Sequence, residues 1–273
     1  MTTFTTVADR PADRLRWALA DTWTIARRDL QHWRNRPGVM VFGWLFPVLM
    51  MALFIALLGG AISTAVGGSY IDYIMPGALT MAMFFGLEAT MAAVSADASK
   101  GVTDRFRSLP MSGFAVVAGR CTADMLNSLI TLAVTVAAGM LLGWRPDASA
   151  PALITAFALL LLLRFALLWV GLFSGLKIRN QEAATAVQLA LWPLLFLSSV
   201  FIDTATMPRW LGTIAQANPL SATATAIRDL FGNPSASSSW FTENATLLAI
   251  TAPALLTIIF LPLSASTYRH LRR

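Results

Sequence analysis

Six long, nearly charge-free apolar stretches lie between the arginine-rich ends of this chain, at residues 38–62, 74–96, 114–142, 151–176, 183–202 and 245–265. A helix of about 20 apolar residues, rising about 1.5 Å per residue, matches the roughly 30 Å hydrocarbon core of a bilayer. Lipid offers no hydrogen-bond partners to a backbone, so each crossing must satisfy its own amides as a helix. The expected fold is all-α, a polytopic membrane protein with six transmembrane helices. Residues 1–37 form an N-terminal segment, 38–265 the six-helix domain and 266–273 a short tail.

Only 12% of the residues are charged and 56% are hydrophobic, whereas a soluble domain carries about 25% charged residues. The net charge of +6 does not point to nucleic acid, because the arginines cluster beside the apolar stretches, where they act as topology signals and contacts for anionic lipid. With the N-terminus in the cytoplasm, fifteen of the twenty Lys/Arg residues fall in cytoplasmic segments and only Arg145, Arg209 and Arg228 in external ones. That bias predicts both termini inside, and the expected location is the plasma (inner) membrane. The polar, arginine-rich start and the length of the first apolar stretch argue against a cleaved signal peptide.

Outside the spans, residues 13–36 read as an amphipathic helix. Leu15, Leu19, Thr22, Ala26, Leu30 and Trp33 recur every three or four positions, flanked by arginines that include Arg27 and Arg28. Trp17, Trp23 and Trp33 favour the membrane interface over bulk solvent, since an indole pairs an apolar ring with a polar N–H. The segment after the second stretch, 99–113, is either a short docking helix closed at Pro110 or an ordinary loop. As a helix it places Phe106 and Leu109 three apart, to enter a partner's groove, with Arg105 and Arg107 setting orientation. The long external region 203–243 reads as a proline-started helix from Met207-Pro208-Arg209-Trp210, a break at Asn218-Pro219, and a second helix ending at Gly232-Asn233-Pro234. Both pieces are too short to cross; they dip into the outer leaflet or form a surface loop.

Glu88, Asp124 and Arg164 stand inside apolar stretches, where an ionisable group costs roughly 2.5–3.5 kcal/mol and so faces protein, water or a pathway. Glu88 is either functional or an interhelical hydrogen-bonding group, and Arg164 is placed to pair with it. Arg120 and Asp124, four apart, share a helix face and can pair with each other. Gly139–Gly143 and Gly171–Gly175 fit the GxxxG pattern of close helix packing, and Pro47 and Pro193 can bend their helices. There is no phosphate-binding GxxxxGK[ST] loop, no HExxH and no GxSxG, and the two histidines, His32 and His270, are far apart. The single Cys121 reads as a buried small side chain. No metal site and no catalytic residue is nominated, and the chain by itself is not read as an enzyme.

Two motifs carry a resemblance. Trp192-Pro-Leu-Leu-Phe-Leu-Ser-Ser-Val-Phe-Ile202, then Met207-Pro-Arg-Trp-Leu211 and Asn218-Pro-Leu220, look like the end of the membrane domain in ABC-2 type exporters, particularly the daunorubicin/doxorubicin-resistance permeases. Lys100-Gly-Val-Thr-Asp-Arg-Phe-Arg-Ser-Leu-Pro-Met-Ser112 resembles their segment after the second span, aligning Gly101, Asp104, Arg105, Pro110 and Ser112. Lys100 replaces the acidic residue that many relatives place before the glycine, and Gly113 the arginine that many place after the serine. Ser199 stands where some relatives have glycine. The resemblance implies a permease that pairs with a second copy, or with a different permease, and with two separate ABC ATP-binding subunits that hold ATP and Mg; this chain would bind no cofactor. It assigns 13–36 to an interfacial connecting helix, Gly101–Ser112 to the coupling helix, and 203–231 to an external re-entrant region containing Pro208, Trp210, Asn218 and Pro219. The implied activity is export of a hydrophobic or amphiphilic small molecule such as a drug. Lipid or polysaccharide export, and gradient-driven transport using Glu88 and Arg164, are the alternatives.

Overall fold

The computed structural model describes residues 11–35, 37–66, 70–99, 113–178, 180–233 and 239–270. Among these the α-helices are α1 (Pro11–Asn35), α2 (Pro37–Val66), α3 (Tyr70–Ser99), α4 (Gly113–Leu141), α5 (Ala150–Lys177), α6 (Gln181–Phe196), α7 (Arg209–Gln216), α8 (Pro219–Leu230), the single turn α9 (Trp240–Glu243) and α10 (Ala245–His270), and no described residue is in a strand. Five of them, α2, α3, α4, α5 and α10, are long and apolar enough to cross a membrane. The stretch expected as the fifth span behaves differently. Its helix, α6, has 16 residues and stops at Phe196, a length of about 24 Å against a roughly 30 Å core. Residues 197–202 continue as turns.

The bundle is built around α3. In its apolar window 72% of residues are buried, against 11% in α2 and α10, which turn Leu49, Leu53, Leu57, Leu255 and Ile258 outward as a lipid-facing surface requires. Helix α5 lies between α3 and α10, α4 closes one side against α2 and α3, and α1 lies along α4. Small residues make the central seam possible. A Cβ on Gly171 would come within 2.7 Å of the Leu87 carbonyl oxygen, and one on Gly175 within 2.7 Å of the Met91 carbonyl oxygen. Without a hydrophobic force between helices in lipid, such backbone approach supplies the packing. The other glycine pair divides its labour. Gly139 packs on the Met75 side chain, whereas Gly143 lies beyond the end of α4 with φ +100°, a conformation that suits glycine in a helix-ending turn.

The region after α6 folds back into the bundle. Asn218 joins its parts: the amide donates to the carbonyls of Leu194 and Leu197 at 2.6 and 2.9 Å, while Oδ1 accepts from Leu220 N–H at 2.9 Å and caps α8. Helix α8 is buried from Leu220 to Arg228 and packs on α3, α5 and α10. By contrast α7 is exposed on one face, with Trp210 at 68% and Ile214 at 53% accessible. Arg228, expected in an external segment, is buried. Its guanidinium sits 4.0 Å over the Tyr73 ring and donates to the Ser199 and Tyr73 carbonyls, the first of which lies in the turns after α6 and so lacks a helical partner. The Val200 carbonyl meanwhile rests directly on Gly77.

Gly171→Leu or Gly175→Leu is expected to destabilise the bundle by about 1–3 kcal/mol through overpacking. Gly38→Leu, at a position with open space around it, should cost little. Thermal unfolding in detergent compares the three, and equal losses would contradict the tight α3–α5 seam.

Candidate functional site

Three helices converge on Arg164. It lies in the middle of α5, is 1% exposed, and projects past Gly86 of α3, where a Cβ would come within 2.5 Å of its Nε. Nε donates to Ser128 Oγ at 2.7 Å and Nη2 to Thr90 Oγ1 at 2.8 Å. The Thr90 hydroxyl in turn donates to Asp124 Oδ2 at 2.7 Å, and that carboxylate lies 3.9 Å from Arg164 Nη2. A guanidinium in this setting needs a counterion and hydrogen-bond acceptors; α4 supplies the carboxylate, and α3 and α4 supply acceptors for Nε and Nη2, while Nη1 meets none among the described residues. The expected partner, Glu88, is not the one used: Arg164 pairs with Asp124. Nor do Arg120 and Asp124 pair along their helix, because each finds a partner on α3 or α5.

Arg120 belongs to a second cluster, at the end of the bundle where α1 lies. Its Nη1 meets Asp97 Oδ2 of α3 at 2.6 Å, and Arg28 of α1 approaches Asp97 Oδ1 at 3.8 Å. Beside them Asp29 has its carboxyl raised from the ordinary value, by burial first, with Arg120 and Arg28 opposing the rise. Helix α1 docks here through Ile25 and Ala26, both buried, and a Cβ on Gly119 of α4 would come within 2.6 Å of the Thr22 carbonyl oxygen. Trp23 and Leu19 are exposed, Trp33 is half-buried, and Arg27 and Arg28 face outward, an arrangement suited to a membrane surface. Trp17 lies in α1 with its side chain outside the described residues.

Between these helices opens a cleft of about 370 Å³, bounded by α2, α3, α4 and α6, within the size range of small-molecule sites. One wall is aromatic: Phe46 stands edge-on to Phe85 at 4.9 Å, and Phe85 lies 5.9 Å from Trp192. The polar lining comes from Glu88, Asn127, Thr131 and Gln188, with Asn127 Oδ1 accepting from the Trp44 indole at 2.7 Å. Glu88 Oε1 is buried and no donor among the described residues reaches it. The glutamate lies eleven residues from the end of α3 at Ser99, about 17 Å along the axis. The start of α2 lines the same cleft, which therefore sits in the half of the bundle nearer α1.

Of the residues nominated from sequence, Glu88 lines the cleft, while Asp124 and Arg164 form the wall behind it. Asn218 and Pro219 open α8, and Pro208 and Trp210 begin α7. Gly101, Asp104, Arg105, Phe106, Arg107, Leu109 and Pro110 lie outside the described residues. Sequence reasoning passed over Asp97, Asn127, Gln188 and the aromatic wall. The signal was present for two of them: Asn127 and Gln188 are polar interruptions within apolar stretches, just as Glu88 is. Among the described residues no group of three or more His, Cys, Asp or Glu is placed to hold a metal ion.

Comparison with known proteins decides the class. The model of the ABC-2 type transporter family matches residues 20–231. This chain belongs to the ABC-2 type transporter family. It is 30% identical over 269 residues to the daunorubicin resistance ABC transporter permease protein DrrB1 of Streptomyces coeruleorubidus, covering 98% of this chain and 92% of that one. It is also 28% identical over 229 residues to the putative transport permease ycf38 of Porphyra purpurea, covering 81% and 75%, and 28% identical to that of Cyanophora paradoxa, covering 81% and 76%. The chain is an ABC-2 family membrane protein with several apolar spans, and the cleft between α2, α3, α4 and α6 is where its interior combines volume with mixed chemistry.

Two measurements test the site's electrostatics. Asp124→Leu should destabilise by about 3–5 kcal/mol by stranding Arg164, and adding Arg164→Leu should recover part of that loss; thermal unfolding of the single and double variants reads it. Because burial raises the Asp29 carboxyl, its ionisation opposes folding, and the neutral form's advantage is lost as pH rises through the folded-state value. Asp29→Asn should therefore raise Tm at pH 7 by about 1–3 °C and lose that gain below the ordinary carboxylate range.

Proposed function

We propose that this chain is the membrane permease subunit of an ABC exporter. It moves a hydrophobic or amphiphilic small molecule outward using ATP hydrolysed by a separate subunit. The observation that carries this reading is the aromatic and polar cleft in the α1 half of the bundle, in a chain similar over nearly its whole length to a drug-resistance permease. A pocket of this size accommodates one small amphiphile, which favours such cargo over a polysaccharide chain.

In this reading both termini lie in the cytoplasm of a cell whose plasma membrane the chain crosses six times. Helix α6 and the turns after it make the fifth crossing, and α7 and α8 form a re-entrant region on the outside. Two copies of the permease, or one with a different partner permease, assemble with two ATP-binding subunits that hold the ATP and Mg. The segment Gly101–Ser112 docks on the ATPase, with Phe106 and Leu109 as the apolar contact. Helix α1, fixed to α3 and α4 by Gly119 and the Arg28–Asp97–Arg120 cluster, passes the same motion to the membrane helices. ATP-driven closure of the ATPase dimer thereby changes which side of the membrane the cleft faces, with binding energy biasing the two states.

Co-purification of this chain with a phosphate-loop ATPase in lipid, followed by hydrolysis assays across a panel of amphiphiles, tests the proposal. Stable association and cargo-stimulated hydrolysis are expected. Phe106→Asp with Leu109→Asp should reduce both at least tenfold, and unchanged association would remove the docking assignment. Transport driven by a proton or sodium gradient without any ATPase would instead favour a secondary transporter.

A further inference from the structure

The cleft has an imbalance of charge. In the interior of the bundle Arg164 is matched by Asp124 and Arg120 by Asp97. Among the described residues Glu88 has no such partner: its Oε1 is buried and no donor meets it. A carboxylate desolvated in this way is stabilised by a cation arriving from outside the chain.

The walls around it select what kind of cation. Phe46, Phe85 and Trp192 form a continuous aromatic surface on the same cleft. Aromatic faces attract an organic cation through their quadrupoles while packing against its apolar body. A small hydrated ion would gain little there: among the described residues no cluster of three carboxylate, thiol or imidazole ligands exists to replace its water shell. The neutral donors and acceptors of Asn127, Thr131 and Gln188 leave Glu88 as the ionisable side chain lining the cleft.

We infer that Glu88 is the specificity-determining counterion of the cleft, which takes up monovalent organic cations with an aromatic or bulky apolar body, the positive centre meeting Glu88 and the body lying on Phe46, Phe85 and Trp192. This rests on the reading of the cleft as the cargo site. The position of the site gives the cation a route in: the cleft occupies the half of the bundle nearer α1, and amphiphilic cations gather at the membrane surface with their charge at headgroup depth.

The test uses the full chain in nanodiscs of neutral lipid and two probes, tetraphenylphosphonium as the cation and N-phenyl-1-naphthylamine as an uncharged apolar ligand. Binding is read from quenching of tryptophan fluorescence for the first probe and from enhanced dye emission for the second, with empty discs subtracted. Glu88→Gln should weaken tetraphenylphosphonium binding at least tenfold and leave naphthylamine binding within twofold. Glu88→Asp, which keeps the charge, should retain most of the cation affinity. Trp192→Ala should weaken the cation several-fold as well. Equal cation binding by wild type and Glu88→Gln overturns the role of Glu88 while leaving the cleft as a ligand site. Loss of both probes in Glu88→Gln overturns it too, by showing that the glutamate shapes the cleft. Failure of the wild type to bind either probe removes the underlying reading of the cleft as a cargo site.

Discussion

A guanidinium held in the middle of a lipid-embedded bundle dictates how its neighbours are arranged. Arg164 has no route to water, so α3 and α4 must bring Thr90, Ser128 and Asp124 to it, and α3 must lack a side chain at Gly86 for the group to pass. The same close approach continues down the seam, where Gly171 and Gly175 bring α5 onto the carbonyls of Leu87 and Met91. Packing and most of the polar pairing thus come from one set of contacts. In hydrocarbon, where helices gain little from burying apolar surface against each other, that combination fixes the register of α5 on α3.

With α3, α4 and α5 locked together, the remaining helices differ in how firmly they are held. Helix α1 is attached to the end of this core by a buried Ile25–Ala26 contact and by arginine–aspartate pairs. Helix α2 exposes most of its apolar surface, and α6 makes slighter contact with α3. The cleft lies between α2 and α6 on one side and α3 and α4 on the other.

Much of this was legible in the sequence. The long apolar stretches gave five spanning helices close to their expected limits, because length and hydropathy together leave a helix little choice in lipid. The breaks at Asn218-Pro219 and Gly232 fell where proline and glycine chemistry placed them, and α8 starts and stops there. Pairings were less legible. Arg120 and Asp124 share a helix face, yet the rotation of that helix sends one toward Asp97 and the other toward Arg164. Sequence spacing fixes faces within a helix and says nothing about which neighbour each face meets. For the same reason spacing did not show that Arg228 is buried, with the Ser199 carbonyl and the Tyr73 ring as its partners. The length of α6 was misjudged because apolar composition continues past Phe196 while the helix does not.

Gly86 ties two positions of the chain into one unit of variation. A methyl group there would crowd the Arg164 Nε, so residue 86 can grow only if the arginine side chain shifts from its partners or residue 164 shrinks. Shrinking residue 164 releases Asp124 from its cation and calls for a neutral residue at that position as well. Three sites on three helices, at 86, 124 and 164, are therefore expected to change together or remain unchanged, and that coupled triplet is a signature by which relatives with the same interior can be sorted.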